Sequence, residues 1–370
     1  MTMVKSKLKI GVIGCGDIAN QKHMPALKKL NDKCIMTAFC DIKIEKAQKA
    51  AKKYGNDKAA VYKDYRELLE DKSIDVVHVL TPNASHSPIT IEAFKAGKHV
   101  MCEKPMAHNK KAAKKMMEAW QKSDKKFTIG YQFRFRNDVQ RLKKACENKK
   151  LGEIYFAKAH AIRRKAVPAW GDFLNKSIQG GGPLIDIGTH SLDLTLWLLN
   201  NYEPYSVSGS VFNKMNNKVE GNLFGPWSPE DFEVEDSAFG FIKMKNGTTI
   251  FLESAWILNT RKPKEASTTL YGTKAGAEVK WNLPTNKSEL IFNMIDGGNY
   301  KEERESLIQK MGPAEDEVDS LGFLEASHWI EAIIEDNSPY VKPEEAYIVT
   351  KILDAIYESA EKGKEIKFDD

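Results

Sequence analysis

Asp186 and His190 stand four residues apart, directly after Gly180-Gly181-Gly182-Pro183. Residues four apart share a helix face, and a carboxylate beside an imidazole is a common way to orient a general base. Three glycines let a backbone bend sharply and approach a ligand. Pro183 suits the first turn of a helix, where a missing N–H costs nothing. On this segment alone, a His–Asp pair that merely satisfies itself at a surface reads equally well; positions earlier in the chain decide. There Gly14-Cys15-Gly16-Asp17-Ile18-Ala19 follows the apolar run Leu8–Ile13. In G-x-G-x-x-A the first glycine permits a tight turn, the second lets a diphosphate approach the backbone, and the alanine allows close helix–strand packing. Free N–H groups at the helix start face the phosphates, which makes Gly14, Gly16, Asp17 and Ile18 candidate cofactor contacts. Asp41 ends the next apolar run, Cys34–Cys40, about 20 residues on, where a carboxylate accepts ribose hydroxyls and repels a 2′-phosphate. NAD is therefore expected over NADP, with Lys43 read as a solvated lysine opening the next helix.

The elements that must position these residues alternate. Helical patterns over Ile44–Tyr54, Tyr65–Asp71, His86–Ala96 and Lys110–Lys122 are interleaved with strand patterns at Val76–Leu80, His99–Cys102 and Phe127–Gly130. That order predicts a doubly wound parallel sheet, with ligands at the carboxyl ends of its strands. Thr81–His86 and Glu103-Lys104-Pro105 sit at such ends, so Thr81, Asn83, His86, Glu103 and Lys104 join the candidate cofactor contacts. Gln132 is expected to meet the nicotinamide carboxamide, and Arg134 either to reach substrate or to pack. Further strands are expected at Glu153–Ile162, Tyr205–Phe212, Asp236–Met244, Thr248–Trp256, Ser267–Tyr271 and Ala277–Trp281, with Asn246-Gly247 a hairpin signal. Asn213–Glu233 is too long for an ordinary turn and is expected to be a flap or an oligomer contact. Trp170 and Phe173 fall in a loop before the glycines, where an aromatic lies over a sugar ring or the nicotinamide, or joins the core. Helices close the chain at Phe323–Glu335 and from Pro343 to about Glu361.

Composition excludes several classes. The 370 residues are 42% hydrophobic and 29% charged, which suits a globular protein with room for two domains. No apolar run reaches the length of a membrane span, and the first ten residues lack the apolar core of a secretory signal. The net charge of +5 comes mostly from lysines interleaved with acidic residues on helical patterns, a solvated face rather than a nucleic-acid footprint. Five cysteines without C-x-x-C or zinc spacing suggest a reducing, cytoplasmic setting and no metal.

With Gly14–Ala19, Asp41, Thr81–His86, Glu103-Lys104-Pro105 and Gly180…Asp186…His190 in this order, the chain resembles the glucose–fructose oxidoreductase / inositol dehydrogenase (Gfo/Idh/MocA) family over nearly its whole length. The resemblance implies an NAD-binding Rossmann domain, residues 1–130, and an α+β domain with a large, mostly antiparallel open sheet, residues 131–370. It implies hydride transfer between nicotinamide and a secondary hydroxyl of a sugar, inositol or related polyol, with Lys104, Asp186 and His190 catalytic. Arg163–Gly171 is similar to a sugar-acting subgroup, which adds Arg164 and Trp170 to the substrate candidates Lys104, Asp186 and His190. Imidazole titrates near neutrality, so His190 is the natural proton acceptor, and Lys104 can set a positive charge against a developing alkoxide. A homodimer or homotetramer is implied, with neither nucleic acid nor membrane as partner. Two other functions remain open: an NAD-dependent glycoside hydrolase working by transient oxidation, and a non-catalytic sensor of NAD and sugar.

Overall fold

The apolar run Leu8–Ile13 forms strand β1, buried from Ile10 onward and central in a six-stranded sheet. The computed structural model describes residues 7–282, 287–308 and 320–368. Around β1 stand β2 (Cys34–Cys40), β3 (Ala60–Tyr62), β4 (Val76–Val79), β5 (His99–Cys102) and β6 (Phe127–Ile129), in the order β3-β2-β1-β4-β5-β6. Every pairing in this sheet is parallel, as strands of continuous Val, Ile, Met and Cys require when helices cover both faces. The connecting helices are α1 (Met24–Lys29), α2 (Ile44–Tyr54), α3 (Tyr65–Glu70), α4 (Asn83–Lys95) and α5 (Lys110–Gln121). A π-helical turn over Ala19–His23 runs straight into α1.

The chain divides into two compact units, and the first, which runs to Gln132, also takes up a later segment. Residues Met1–Ala107, Lys111–Gln132 and Lys310–Tyr347 belong to it, so the chain leaves after Gln132 and comes back. The physical reason is apolar. Ala326, Trp329 and Ile330 of the returning helix join Met24, Leu27 and Met36 in one buried cluster.

The second unit holds α6 (Asn137–Glu147), β7 (Ile154–Ile162), the short α7 (Lys176–Gln179), a second π turn over Leu184–Gly188, and α8 (Thr189–Leu199). Its sheet adds β8 (Pro204–Phe212), β9 (Ser237–Met244), β10 (Thr249–Ala255), β11 (Lys264–Gly272), β12 (Ala275–Asn282), β13 (Lys287–Asp296), β14 (Asn299–Ile308) and β15 (Ile366–Lys367). The nine strands run β14-β13-β12-β11-β7-β10-β9-β8-β15, antiparallel except where β10 pairs β7. The returning helix of the first unit is α9 (Leu321–Ile334), and α10 (Pro343–Lys362) belongs to the second unit from Ile348. Residues 213–233 are no loose flap, because Trp227 and Phe232 are buried with Trp256 and Ile187 in a second apolar cluster.

Candidate active site

In the first unit β1 delivers the chain to Gly14, whose φ is +93° and whose missing Cβ would stand 2.6 Å from the Leu80 carbonyl oxygen. Only glycine fits there. A Cβ on Gly16 would meet nothing within 4 Å, so the backbone faces open space beside the helix start, as a diphosphate needs. The Asn20 amide donates to the carbonyls of Cys15 at 3.0 Å and Gly16 at 2.8 Å, fixing the loop. Asp41 is tied to it as well: Oδ2 accepts the Cys15 N–H and Oδ1 the Lys43 N–H, both at 2.9 Å. Asp17 and Ile18 are exposed at the first helical turn. An open glycine cradle next to a held carboxylate fits a dinucleotide.

Three of the remaining candidates are buried. Asn83 is buried at the start of α4. The ring of His86 is fully buried, with Nδ1 2.8 Å from the Pro105 carbonyl and Nε2 2.8 Å from that of Thr81, and burial lowers its pKa. It ties the Thr81 and Pro105 loops together. Gln132 is buried, and its Oε1 accepts from Lys22 Nζ at 3.3 Å.

Glu103 lies in a cluster that the sequence reading missed. Its Oε1 is 2.5 Å from Lys22 Nζ and 2.7 Å from His23 Nε2, while Oε2 accepts the Lys104 N–H at 3.0 Å. Lys22 also reaches Glu325 at 3.0 Å, and His23 Nδ1 lies 3.3 Å from His78 Nδ1. Burial opposes charge on all five, but the partners decide the outcome for two of them. Glu103 and Glu325 carry Lys22 upward, and Lys22 and His23 hold Glu103 well below the carboxylate range. Burial, aided by Glu103, lifts Glu325 to about 7, and burial, aided by Lys22, holds His23 at about 4. His78 is driven well below its ordinary value, again by burial first. The available signal was a Lys-His pair between Ala19 and Leu27, on a helix face that has to be buried. Lys104 itself is half-buried, next to this cluster in sequence and hydrogen-bonded to it through its backbone.

In the second unit the three glycines serve packing rather than ligand approach. Gly180 has φ +87° and ends α7 against the His108 carbonyl; a Cβ on Gly181 would strike the Tyr357 hydroxyl, and one on Gly182 the Glu235 carbonyl. The buried carboxylate of Glu235 accepts the Gly182 N–H at 2.8 Å, the Leu184 N–H at 3.1 Å and the Tyr357 hydroxyl at 2.8 Å. It thereby satisfies two backbone donors that a helix start leaves open. Burial raises the Glu235 pKa.

The helix so capped begins with the π turn, a form found often at functional sites, and carries Asp186 and His190. Asp186 Oδ2 accepts the Trp256 indole N–H at 3.0 Å, and the His190 ring lies 4.6 Å from that of Phe133, 7% exposed. Asp186 thus has an orienting partner that no spacing rule reveals. Arg134 is fully buried and grips Asp193 through Nε and Nη2. Arg164 is exposed but donates to the carbonyls of Thr260 and Arg261 at 2.9 Å each. Trp170 is 46% exposed and meets Phe173 and Phe224 edge-on. Among the described residues no three His, Cys, Asp or Glu side chains gather as a metal would require, and no helix is long and apolar enough to cross a membrane.

Two family models match the chain: an oxidoreductase family NAD-binding Rossmann fold over residues 8–131, and the C-terminal alpha/beta domain of the same family over residues 143–368. The chain is 36% identical over 365 residues to D-glucoside 3-dehydrogenase of Escherichia coli (strain K12), covering 99% of each chain. It is 34% identical over 208 residues to myo-inositol 2-dehydrogenase of Thermotoga maritima, covering 55% of this chain and 59% of that one. Levoglucosan dehydrogenase in complex with NADH and levoglucosan has a similar fold, with a TM-score of 0.82 at 24% identity, covering 98% of this chain and 100% of that one.

Proposed function

The chain belongs to the Gfo/Idh/MocA oxidoreductase family, and we propose that within it this protein oxidises a ring hydroxyl of D-glucosides. It is an NAD-dependent sugar or polyol dehydrogenase. The observation that carries the finer reading is the end-to-end match, at 36% identity, to a D-glucoside 3-dehydrogenase.

Gly14, Gly16, Asp17 and Ile18 hold the diphosphate of NAD and Asp41 its ribose, with Thr81, Asn83 and Gln132 along the same strand ends. Bound NAD supplies the hydride acceptor. His190 takes the proton of the substrate hydroxyl as the alcohol becomes a ketone, and the Lys104 ammonium stabilises the alkoxide character that develops. Asp186, steadied by Trp256, orients the imidazole or a neighbouring substrate hydroxyl. Glu103 fixes the backbone of Lys104. The unpaired, largely buried cysteines suit a reducing cytoplasm, and the protein works as a homo-oligomer.

The test is NADH formation from D-glucosides, followed at 340 nm with NAD⁺ and NADP⁺. NAD⁺ should give the higher kcat/KM. Lys104→Ala and His190→Ala should each lower kcat by about 10²–10⁴-fold, while NAD⁺ titration still shows binding. Release of free sugar without net NADH would mean a hydrolase, and a His190→Ala enzyme near the parent rate would remove His190 from the chemistry.

A further inference from the structure

A row of aromatic rings runs from the Asp186 carboxylate to the surface of the second unit. Trp256 donates its indole N–H to Asp186, Phe173 stands edge-on to Trp256 at 6.5 Å, Trp170 edge-on to Phe173 at 5.7 Å, and Phe224 edge-on to Trp170 at 5.1 Å. Trp256 is fully buried, but the row ends in the open. Trp170 is 46% exposed, Phe224 40% and its neighbour Leu223 73%. Large apolar side chains gathered in water mark an interaction site more often than isolated ones do.

These exposed rings sit on irregular backbone that is held firmly. The Asn222 side chain accepts the Val167 N–H at 2.8 Å and donates to the Val167 carbonyl at 3.0 Å, imitating a strand pairing between the two loops. It also donates to the Gly225 carbonyl at 2.6 Å, and Leu223 N–H donates to the Lys165 carbonyl at 3.3 Å. Trp227 anchors the far side through its own N–H to the Asn216 carbonyl at 2.6 Å. A surface so braced loses little entropy when it binds something.

The surrounding charges narrow the occupant. Arg163 is engaged by Glu265, Arg164 by the carbonyls of Thr260 and Arg261, and Lys165 by the carbonyl of Glu220. These three basic groups already have oxygen partners, and the Arg163 guanidinium lies 5.8 Å from the Phe224 ring centre, which leaves the other ring face and that of Trp170 on offer rather than a phosphate cradle. A pyranose suits such a face, because its axial C–H bonds form an apolar side while its hydroxyls stay in water.

We propose that Trp170 and Phe224 form an aglycone subsite, on which the second sugar ring of a disaccharide glucoside stacks while the first is held at Asp186. The subsite rests on the glucoside reading above and extends it from the reacting ring to the group attached to it. Binding energy gathered there is remote from the reacting carbon and raises selectivity for longer glucosides.

Calorimetry on the NAD⁺-saturated protein tests this, using methyl α- and β-D-glucoside, maltose, cellobiose and glucose 6-phosphate. The disaccharide of the preferred anomer should bind about two- to tenfold tighter than its methyl glucoside, the range expected for one aromatic stacking contact. That advantage should vanish in Phe224→Ala and in Phe224→Leu, which keeps apolar bulk without a ring face, while methyl glucoside binding stays at the parent level. No preference in the parent overturns the subsite, as does equal loss on both ligands. A gain for glucose 6-phosphate that Phe224→Ala abolishes makes it a phosphate site, and a fall in particle mass in that variant makes it a contact between copies; either overturns it. NADH formation is followed in parallel. A calorimetric advantage without NADH sinks the dehydrogenase reading and leaves the subsite standing; equal turnover and binding of both glucosides does the reverse.

Discussion

Lys22 is one cation between two carboxylates in a dry interior, and Glu325 is the one that keeps a proton there. Its pKa of about 7 and that of His23, about 4, give opposite pH dependences. A carboxyl raised from an ordinary 4.5 stabilises the fold fully below that value and loses the contribution as pH climbs through 7. An imidazole held below its ordinary 6.5 stabilises above that value and loses the contribution as pH falls towards 4. Between about pH 4.5 and 6.5 these two slopes oppose each other; His78 and His86, also held below their ordinary value, add to the rising side and Glu235 to the falling one, so the Tm of the parent should rise gently with pH across that window. Glu325→Gln removes one falling component and should steepen that rise; a variant with the parent's slope would place the proton elsewhere. At this scale the sequence was informative where chemistry imposes a motif. Gly14, Gly16 and Asp41 follow from spacing and Lys104 from the family resemblance, whereas Lys22, His23 and Glu325 meet only in three dimensions, across about 300 positions of chain.

The helix carrying Asp186 and His190 owes its start to residues far from it in sequence. Glu235 and Tyr357 cap and brace it, and the glycines before it exist so that these groups fit. Gly182→Ala would drive a methyl group into the Glu235 backbone carbonyl, an overpacking that costs about 1–3 kcal/mol. Thermal unfolding should show the loss, with kcat falling because the helix origin shifts; unchanged stability would mean that the cap yields freely. The periodicity of this helix was legible, and so were the parallel strands, whose apolar runs are continuous. β3 was missed because three residues carry no period, and β14 because Asn299–Ile308 is polar on both faces, as an outermost strand tolerates. The triple glycine was legible as a feature but misassigned in cause, since a missing side chain announces close approach without saying to what.

On the whole molecule, one face of the second sheet carries a cluster of phenylalanines beside Lys158, Lys243 and Glu253. Phe241 and Phe251 are directly paired across β9 and β10, Phe239 follows on the same side, and Phe212 meets it at 6.1 Å. Phe241 is 44% exposed and Tyr205 46%. Light scattering should therefore report a multiple of the 41.8 kDa chain, and Phe241→Asp should shift the mass towards a single chain. A parent particle of one chain over a wide concentration range would contradict this. The two-part architecture was legible from the order of motifs. The return of α9 was not, because an amphipathic helix reads the same whichever surface receives it.

That return has a consequence for how the protein is made. A ribosome releases the six strands of the nucleotide-binding unit early, then synthesises about 190 further residues before α9 follows. At typical elongation rates the interval is roughly 10–40 s. Throughout it Met24, Leu27 and Met36 lack the Trp329 and Ile330 that will cover them, and Lys22 lacks its second carboxylate. The nucleotide-binding unit is thus finished long after its strands emerge, and the nascent chain carries an uncovered apolar patch until α9 follows.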